Sequence, residues 1–152
     1  SMEAEQNREK TWRKLKNQVS SALEREKVSL NAVCLELEQL SNTLSQLSEM
    51  VKDYHPDQGD LKKDTSIDAL RRNWNFISSL EIAMRRTTEQ KVIIKKKELA
   101  IREQCLKLEG EVQKYETLEN RAAVKRKSLA ALKERKLQDE ISSSHWLRQK
   151  YE

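Results

Sequence analysis

The sequence is poor in the residues that make turns and globular cores. Among its 152 residues there are only two glycines, one proline and one phenylalanine, and aromatic residues make up 5% of the chain. A globular α/β enzyme needs glycine and proline in its loops and a larger apolar share than the 36% found here. No apolar run approaches the roughly 18 residues of a membrane-spanning helix. These absences argue against a loop-rich enzyme fold, and we expect no insertion into a membrane.

The motifs of catalysis and metal binding are also missing. There is no glycine-rich nucleotide loop, no HExxH and no GxSxG, and neither His55 nor His145 has a cluster of ligand-type residues around it. Cys34 and Cys105 show no CxxC spacing, so we interpret them as small apolar residues of helices in a reducing compartment. We expect no signal peptide. We expect a cytoplasmic protein that is not an enzyme and has no cofactor and no metal.

What the sequence has is charge and a helical period. Charged residues make up 36% of the chain, with 30 basic against 25 acidic side chains, and apolar residues recur at the spacing of coiled-coil heptads. Helix breakers cluster at one place, which holds Pro56 and Gly59. The pattern predicts an all-α fold, a long antiparallel two-helix coiled-coil hairpin with a longer second helix. As one domain over 1–152, it has helix one at about 3–53, a turn at about 54–65 and helix two at about 66–150.

The heptad pattern also predicts which residues pack between the helices. An antiparallel pairing that sets Leu47 opposite residues 80–84 sets Trp12 near Leu118, and it leaves the chain beyond about Arg121 without a partner. The seam of the first helix shifts its phase once around residues 26–30. The predicted seam of the first helix is Trp12, Leu15, Val19, Ala22, Val33, Leu37, Leu40, Leu44, Leu47, Val51 and Tyr54. The predicted seam of the second begins with Ile67, Leu70, Trp74, Ile77, Leu80 and Met84.

Apolar residues near the turn exceed what one seam can bury. Phe76 and Ile77 are neighbours in sequence, so they cannot both point at the first helix. We expect one stripe through Trp74, Ile77 and Leu80 in the seam, and a second through Phe76, Leu80 and Ala83 that is partly exposed. An apolar patch on a highly charged helix usually marks a partner surface. Simple filling of the core is the alternative.

Basic residues form two runs on the second helix, one at 91–97 and a denser one at 121–136. A solvated charged face is one interpretation, and docking on an acidic protein surface is another. Nucleic acid is a weaker candidate, because the dense run lacks aromatic residues for base stacking and no recognition fold is visible. We therefore expect no nucleic-acid partner.

Two stretches of the second helix resemble the family of the flagellar export protein FliJ, whose injectisome counterpart is YscO. Residues 76–83 read Phe-Ile-Ser-Ser-Leu-Glu-Ile-Ala, and the family has Phe-Ile-x-x-Leu-Glu-x-Ala early in its second helix. Residues 114–121 contain Tyr-Glu-Thr-Leu-Glu-Asn-Arg, and the family has an aromatic-x-Thr-Leu-x-x-Arg stretch further along. Tyr54 matches an aromatic residue that the family places just before the turn.

The resemblance implies a stalk component of a type III export apparatus. Such proteins insert into the hexameric export ATPase, promote its assembly, link it to the cytoplasmic domain of the export gate, and escort export chaperones. The family's gate-binding surface corresponds here to Leu47, Met50, Tyr54, Phe76, Leu80, Ala83 and Thr87. Met50 stands where the family has an aromatic residue, Thr87 where it has a histidine, and Thr43 where it has a glutamine. The implied contacts with the ATPase ring are Trp12, Arg121, Lys125, Arg126, Lys127, Lys133 and Arg135.

The alternative interpretation is a structural coiled coil or a spectrin-like segment of a cytoskeletal or centrosomal protein. The pattern of Ile67, Leu70, Trp74 and Ile77 suits the end of a spectrin-type helix about as well. A spectrin repeat needs three helices, however, and the sequence has one breaker region only.

Overall fold

The computed structural model describes residues 1–54 and 66–151. These residues form two helices, α1 (Met2–Tyr54, 53 residues) and α2 (Ile67–Tyr151, 85 residues). The predicted fold class, a two-helix hairpin with a longer second helix, is confirmed. Beyond Tyr54, the predicted turn lies outside the described residues. A single domain over 1–152 stays a prediction, and the contacts group into a terminal unit (Ser1–Arg25 with Cys105–Glu152) and a central unit (Glu26–Gln104).

Each helix starts at a serine cap. The Ser1 hydroxyl accepts a hydrogen bond from the Ala4 amide at 3.2 Å, and the Ser66 hydroxyl accepts one from the Ala69 amide at 3.1 Å. These bonds satisfy amides that have no partner within the helix. The acidic side chain of Asp68 in the first turn of α2 complements the positive end of the helix dipole. The local sequence therefore sets where both helices begin.

The two helices pack antiparallel within the terminal unit. Trp12 stacks on Tyr115 with ring centroids 5.9 Å apart and an interplanar angle of 18°. This contact agrees with the predicted placement of Trp12 near Leu118. The apolar residues Leu23, Cys105, Leu108 and Ala122 are buried here.

The pairing in the terminal unit extends further than the sequence predicted. Ala122 is only 4% exposed, and the Arg126 side chain reaches Glu9 of α1 at 2.7 Å. The expectation that the chain lacks a partner beyond about Arg121 is therefore wrong. The physical reason is that the turns of α1 before Trp12, where the predicted seam begins, also pack on α2: Glu5 is buried and Glu9 pairs with Arg126. From residue 131 to 151 every residue is exposed.

The central unit is built on the same antiparallel pairing. Val33 and Leu37 of α1 and Ile77 and Leu80 of α2 are buried. Further along α2 the seam consists of Thr87, Lys91, Ile94 and Glu98, which are half-buried. Less apolar surface is therefore buried along this part of the seam.

The predicted start of the α2 seam is wrong. Ile67, Leu70 and Trp74 are 74%, 44% and 68% exposed. The reason is the end of the opposing helix: Tyr54, the last residue of α1, already contacts Phe76. No described residue of α1 continues past this point to cover the first turns of α2.

Candidate functional site

The first candidate surface, here called the aromatic patch, surrounds the contact between the end of α1 and the start of α2. Tyr54 and Phe76 pack with ring centroids 4.6 Å apart and planes tilted by 53°. Both rings keep a large exposed fraction, 45% and 41%, and Met50 on α1 is 46% exposed. Burying these three side chains against a partner would remove considerable apolar surface from water.

The remaining predicted members of this surface have different roles. Leu80 is only 7% exposed, so it belongs to the core and not to the exposed patch. Its assignment to a partly exposed stripe is corrected accordingly. Leu47 and Ala83 are half-buried. The Thr87 hydroxyl donates a hydrogen bond to the Ala83 carbonyl at 2.8 Å, which occupies its donor within the helix.

Trp74 is the exposed residue that sequence reasoning missed near this patch. The heptad spacing placed it in the seam with Ile77, but 68% of it is exposed. Its exposure could have been inferred from its position. Phe76 pairs with Tyr54, the last residue of α1, and Trp74 lies two residues before Phe76. A residue there has no turn of α1 to pack on.

The second candidate region is in the terminal unit, where an ionic network joins the two helices. Glu9 accepts hydrogen bonds from Arg13 at 3.2 Å and from Arg126 at 2.7 Å. Glu119 accepts one from the Nε of Arg13 at 2.9 Å, and its other oxygen lies 2.8 Å from the Lys16 ammonium. Both carboxylates are largely covered, with 12% of each side chain exposed. A network of this kind orders side chains more effectively than isolated surface pairs do.

The network changes the acidity of its members. The hydrogen bond from Lys16, followed by the one from Arg13, holds the pKa of the Glu119 carboxyl below its ordinary value, and these effects outweigh desolvation. The hydrogen bond to Glu119 raises the pKa of Arg13 in turn. Glu119 is therefore a carboxylate in the folded terminal unit at neutral pH.

A shallow groove of about 650 Å³ lies beside this network. Trp12, Leu118 and Ala122 provide its apolar wall, and the basic side chains of Arg121 and Lys125 line its edge. The groove therefore combines an apolar surface with positive charge. Such a combination suits a partner segment that carries an apolar residue beside acidic ones.

The predicted basic contact residues divide into two groups. Arg126 is half-buried and bound to Glu9, so it holds the helices together. The other five are exposed, and none of them forms an ion pair with a residue that the structure describes: Arg121, Lys125, Lys127, Lys133 and Arg135. Their charge is available to a partner.

Two further observations concern the described residues as a whole. Within residues 1–54 and 66–151, no group of three or more His, Cys, Asp and Glu side chains is placed to hold a metal ion. No helix over the same residues is long and apolar enough to cross a membrane.

Comparison with known families decides the class of protein. The family model described as "Flagellar FliJ protein" matches residues 12–151, nearly the whole chain. The chain belongs to the flagellar FliJ family. A FliJ-family protein is a component of the flagellar export apparatus, so the resemblance noted in the sequence is confirmed and the spectrin-like alternative is not favoured. No curated protein and no solved structure matches the chain.

Proposed function

We propose that this FliJ-family chain is a non-enzymatic central stalk of the flagellar export machinery. In this proposal the terminal unit docks in the hexameric export ATPase and promotes its assembly, while the aromatic patch contacts the cytoplasmic domain of the export gate. The chain would act in the cytoplasm, at the inner face of the membrane that carries the gate. The observation that carries the proposal is the set of five exposed basic residues, unpaired among described residues, of which Arg121 and Lys125 line the Trp12 groove.

The charge distribution supports docking of the terminal unit on an acidic surface. Of the charged side chains in residues 121–136, only Glu134 is acidic. Long-range attraction of this kind speeds association and falls as salt screens it over a Debye length of about 10 Å at 0.1 M. The apolar wall around Trp12 then supplies attraction at short range that salt does not weaken.

The aromatic patch supports a separate contact with the gate. Met50, Tyr54 and Phe76 are exposed together, and aromatic and methionine side chains are typical of protein interfaces. Met50 replaces an aromatic residue and Thr87 a histidine of the family pattern, so we expect partner selectivity to differ from that of other members. Binding of export chaperones is proposed on family membership alone.

The proposal is tested by mixing the chain with the export ATPase from the same genome. ATP hydrolysis and hexamer formation are measured at low and at high salt, with the double variant Lys125→Glu/Lys127→Glu alongside. We expect the chain to stimulate both, high salt to reduce the stimulation, and the variant to stimulate several-fold less.

The control is Lys95→Glu/Lys96→Glu, which makes the same change of charge on exposed residues of the central unit. It should stimulate as the unchanged chain does. Equal losses in both variants would show that net charge matters rather than this surface. Absence of stimulation at any salt concentration would contradict the stalk function.

A further inference from the structure

A second heptad-like row lies on the outer side of α2 in the central unit. Thr88, Val92, Lys95 and Leu99 follow one another at spacings of four, three and four residues, the spacing that faces a partner helix in a coiled coil. This row is distinct from the seam against α1, which uses Thr87, Lys91, Ile94 and Glu98. Val92 and Leu99 are 51% and 59% exposed, so α1 does not cover them.

The row contains a hollow of the kind that receives a side chain from another helix. The hollow measures about 270 Å³, and Val92 and Leu99 are among its lining residues. Lys91, Lys95 and Lys96 complete the lining together with Thr88. Lysine side chains present apolar stems to such a hollow while their ammonium groups stay in water.

The charge around the hollow is positive and not neutralised. Three lysines line it, Lys91, Lys95 and Lys96, and none of them forms an ion pair inside the described part of the chain. The occupant that complements this surface carries apolar residues along one stripe and carboxylates on both sides of it.

We propose that residues 88–99 bind an acidic amphipathic α-helix of a partner protein, which packs as a third helix on the outer side of α2. Leucine-type side chains of that helix enter the hollow between Val92 and Leu99, and its Glu and Asp side chains pair with the three lysines that line it. The site shares no residue with the proposed ring and gate surfaces. Binding at this site can therefore be tested without assuming either of those contacts.

Other occupants fit the surface less well. A second copy of this chain carries a net charge of +5, which does not complement a lysine cluster. An anionic membrane would attract the lysines, but residues 88–99 contain no aromatic side chain of the kind that anchors helices at a bilayer interface. A concave hollow also suits a protruding side chain better than a flat lipid surface.

The experiment uses the full chain and a labelled synthetic peptide of about three heptads, with leucine at a and d and glutamate at e and g. Binding is followed by fluorescence anisotropy at low and high salt. We expect the double variant Val92→Ser/Leu99→Ser to bind at least about tenfold more weakly, because two apolar contacts are lost. The matched control is Val28→Ser/Leu35→Ser, a pair with the same spacing on α1 that is 67% and 56% exposed.

Further arms separate the contributions and the alternative occupants. The variant Lys95→Glu/Lys96→Glu should also bind weakly, and a peptide with lysine at e and g should not bind. Circular dichroism of each variant confirms that the helices persist, as expected for changes at exposed positions. The proposal is overturned if the serine variant binds as tightly as its control. It is also overturned if the lysine peptide binds equally, or if only phosphatidylserine vesicles bind.

Discussion

At the scale of single residues, two carboxylates join the helices of the terminal unit. Glu9 and Glu119 each bind two cations, and Arg13 is shared between them. The network brings Arg126 and Lys16 into contact with the opposing helix. Because Arg126 is used in this way, the residues available for a partner are its exposed neighbours Lys125 and Lys127.

We predict that Glu119→Gln lowers the melting temperature by a few degrees at about pH 7 and has a smaller effect at about pH 3. The pKa of Glu119 is lowered by folding, so its contribution to stability is present above the ordinary value of 4.5. That contribution is lost as the pH falls through the pKa of the folded state. Thermal unfolding followed by circular dichroism at both pH values checks this.

The control for this prediction is Glu116→Gln, a nearby exposed residue without an ion pair among the described residues. It should change the melting temperature little at either pH. A Glu119→Gln effect of the same size at both pH values would contradict the assigned role of its charge.

A second residue-level prediction separates core from surface in the aromatic patch. Leu80→Ala should lower the free energy of unfolding by about 2–5 kcal/mol, because it leaves a cavity at a buried position. Met50→Ala should change it by about 0.5 kcal/mol or less, since the side chain is exposed. Urea denaturation measures both. Similar losses of stability in the two variants would contradict the distinction between core and surface. In the proposed function, Met50→Ala weakens gate binding while the helices stay intact.

At the scale of the helices, α2 contains a glycine, Gly110, at a position where a better helix former fits. Gly110 is helical and exposed, and a Cβ atom added there meets nothing within 4 Å. We predict that Gly110→Ala raises the free energy of unfolding by about 0.5–1 kcal/mol, since glycine is a poor helix former. The reverse change at exposed Ala100, Ala100→Gly, should lower it by about the same amount. A loss of stability in Gly110→Ala would mean that the glycine is required.

The last part of α2 gives a further element-level prediction. Every residue from 131 to 151 is exposed, so this segment buries little apolar surface. Removing it should change the free energy of unfolding by about 0.5 kcal/mol or less. In the proposed function the truncated chain, lacking Lys133 and Arg135, should stimulate the ATPase less. Urea denaturation and ATP hydrolysis give the two results, and a large loss of stability would contradict the first.

Heptad periodicity predicts part of this architecture. Heptad spacing identified both helices and the residues between them, because burial in a two-helix pairing repeats regularly. It did not identify the exposure of Trp74 or the Glu9–Arg126 pair. Both depend on where the opposing helix begins and ends, which heptad spacing by itself does not specify. The lysine row at 91–97 was visible, but only the structure shows that Val92 and Leu99 beside it are uncovered.

At the scale of the whole molecule, the FliJ-family chain carries its candidate surfaces on separate units. The terminal unit has the Trp12 groove and the exposed basic residues, and the central unit has the aromatic patch. We infer that the chain functions by binding partners. The terminal unit does so through basic and apolar residues, and the central unit through exposed aromatic and methionine side chains. Charge reversal at Lys125 and Lys127 should then affect the ATPase contact, and truncation at Met50 should affect the gate contact. Neither change should affect the other contact.

The stalk function is tested by titrating the chain into a fixed concentration of the export ATPase, with ATP hydrolysis and particle mass measured at each ratio. A central stalk occupies the axis of the ring, so we expect stimulation to reach its plateau at a single chain for each hexamer. Stimulation that continues to rise until every ATPase subunit has its own chain would place the protein on the outside of the ring and contradict the stalk function.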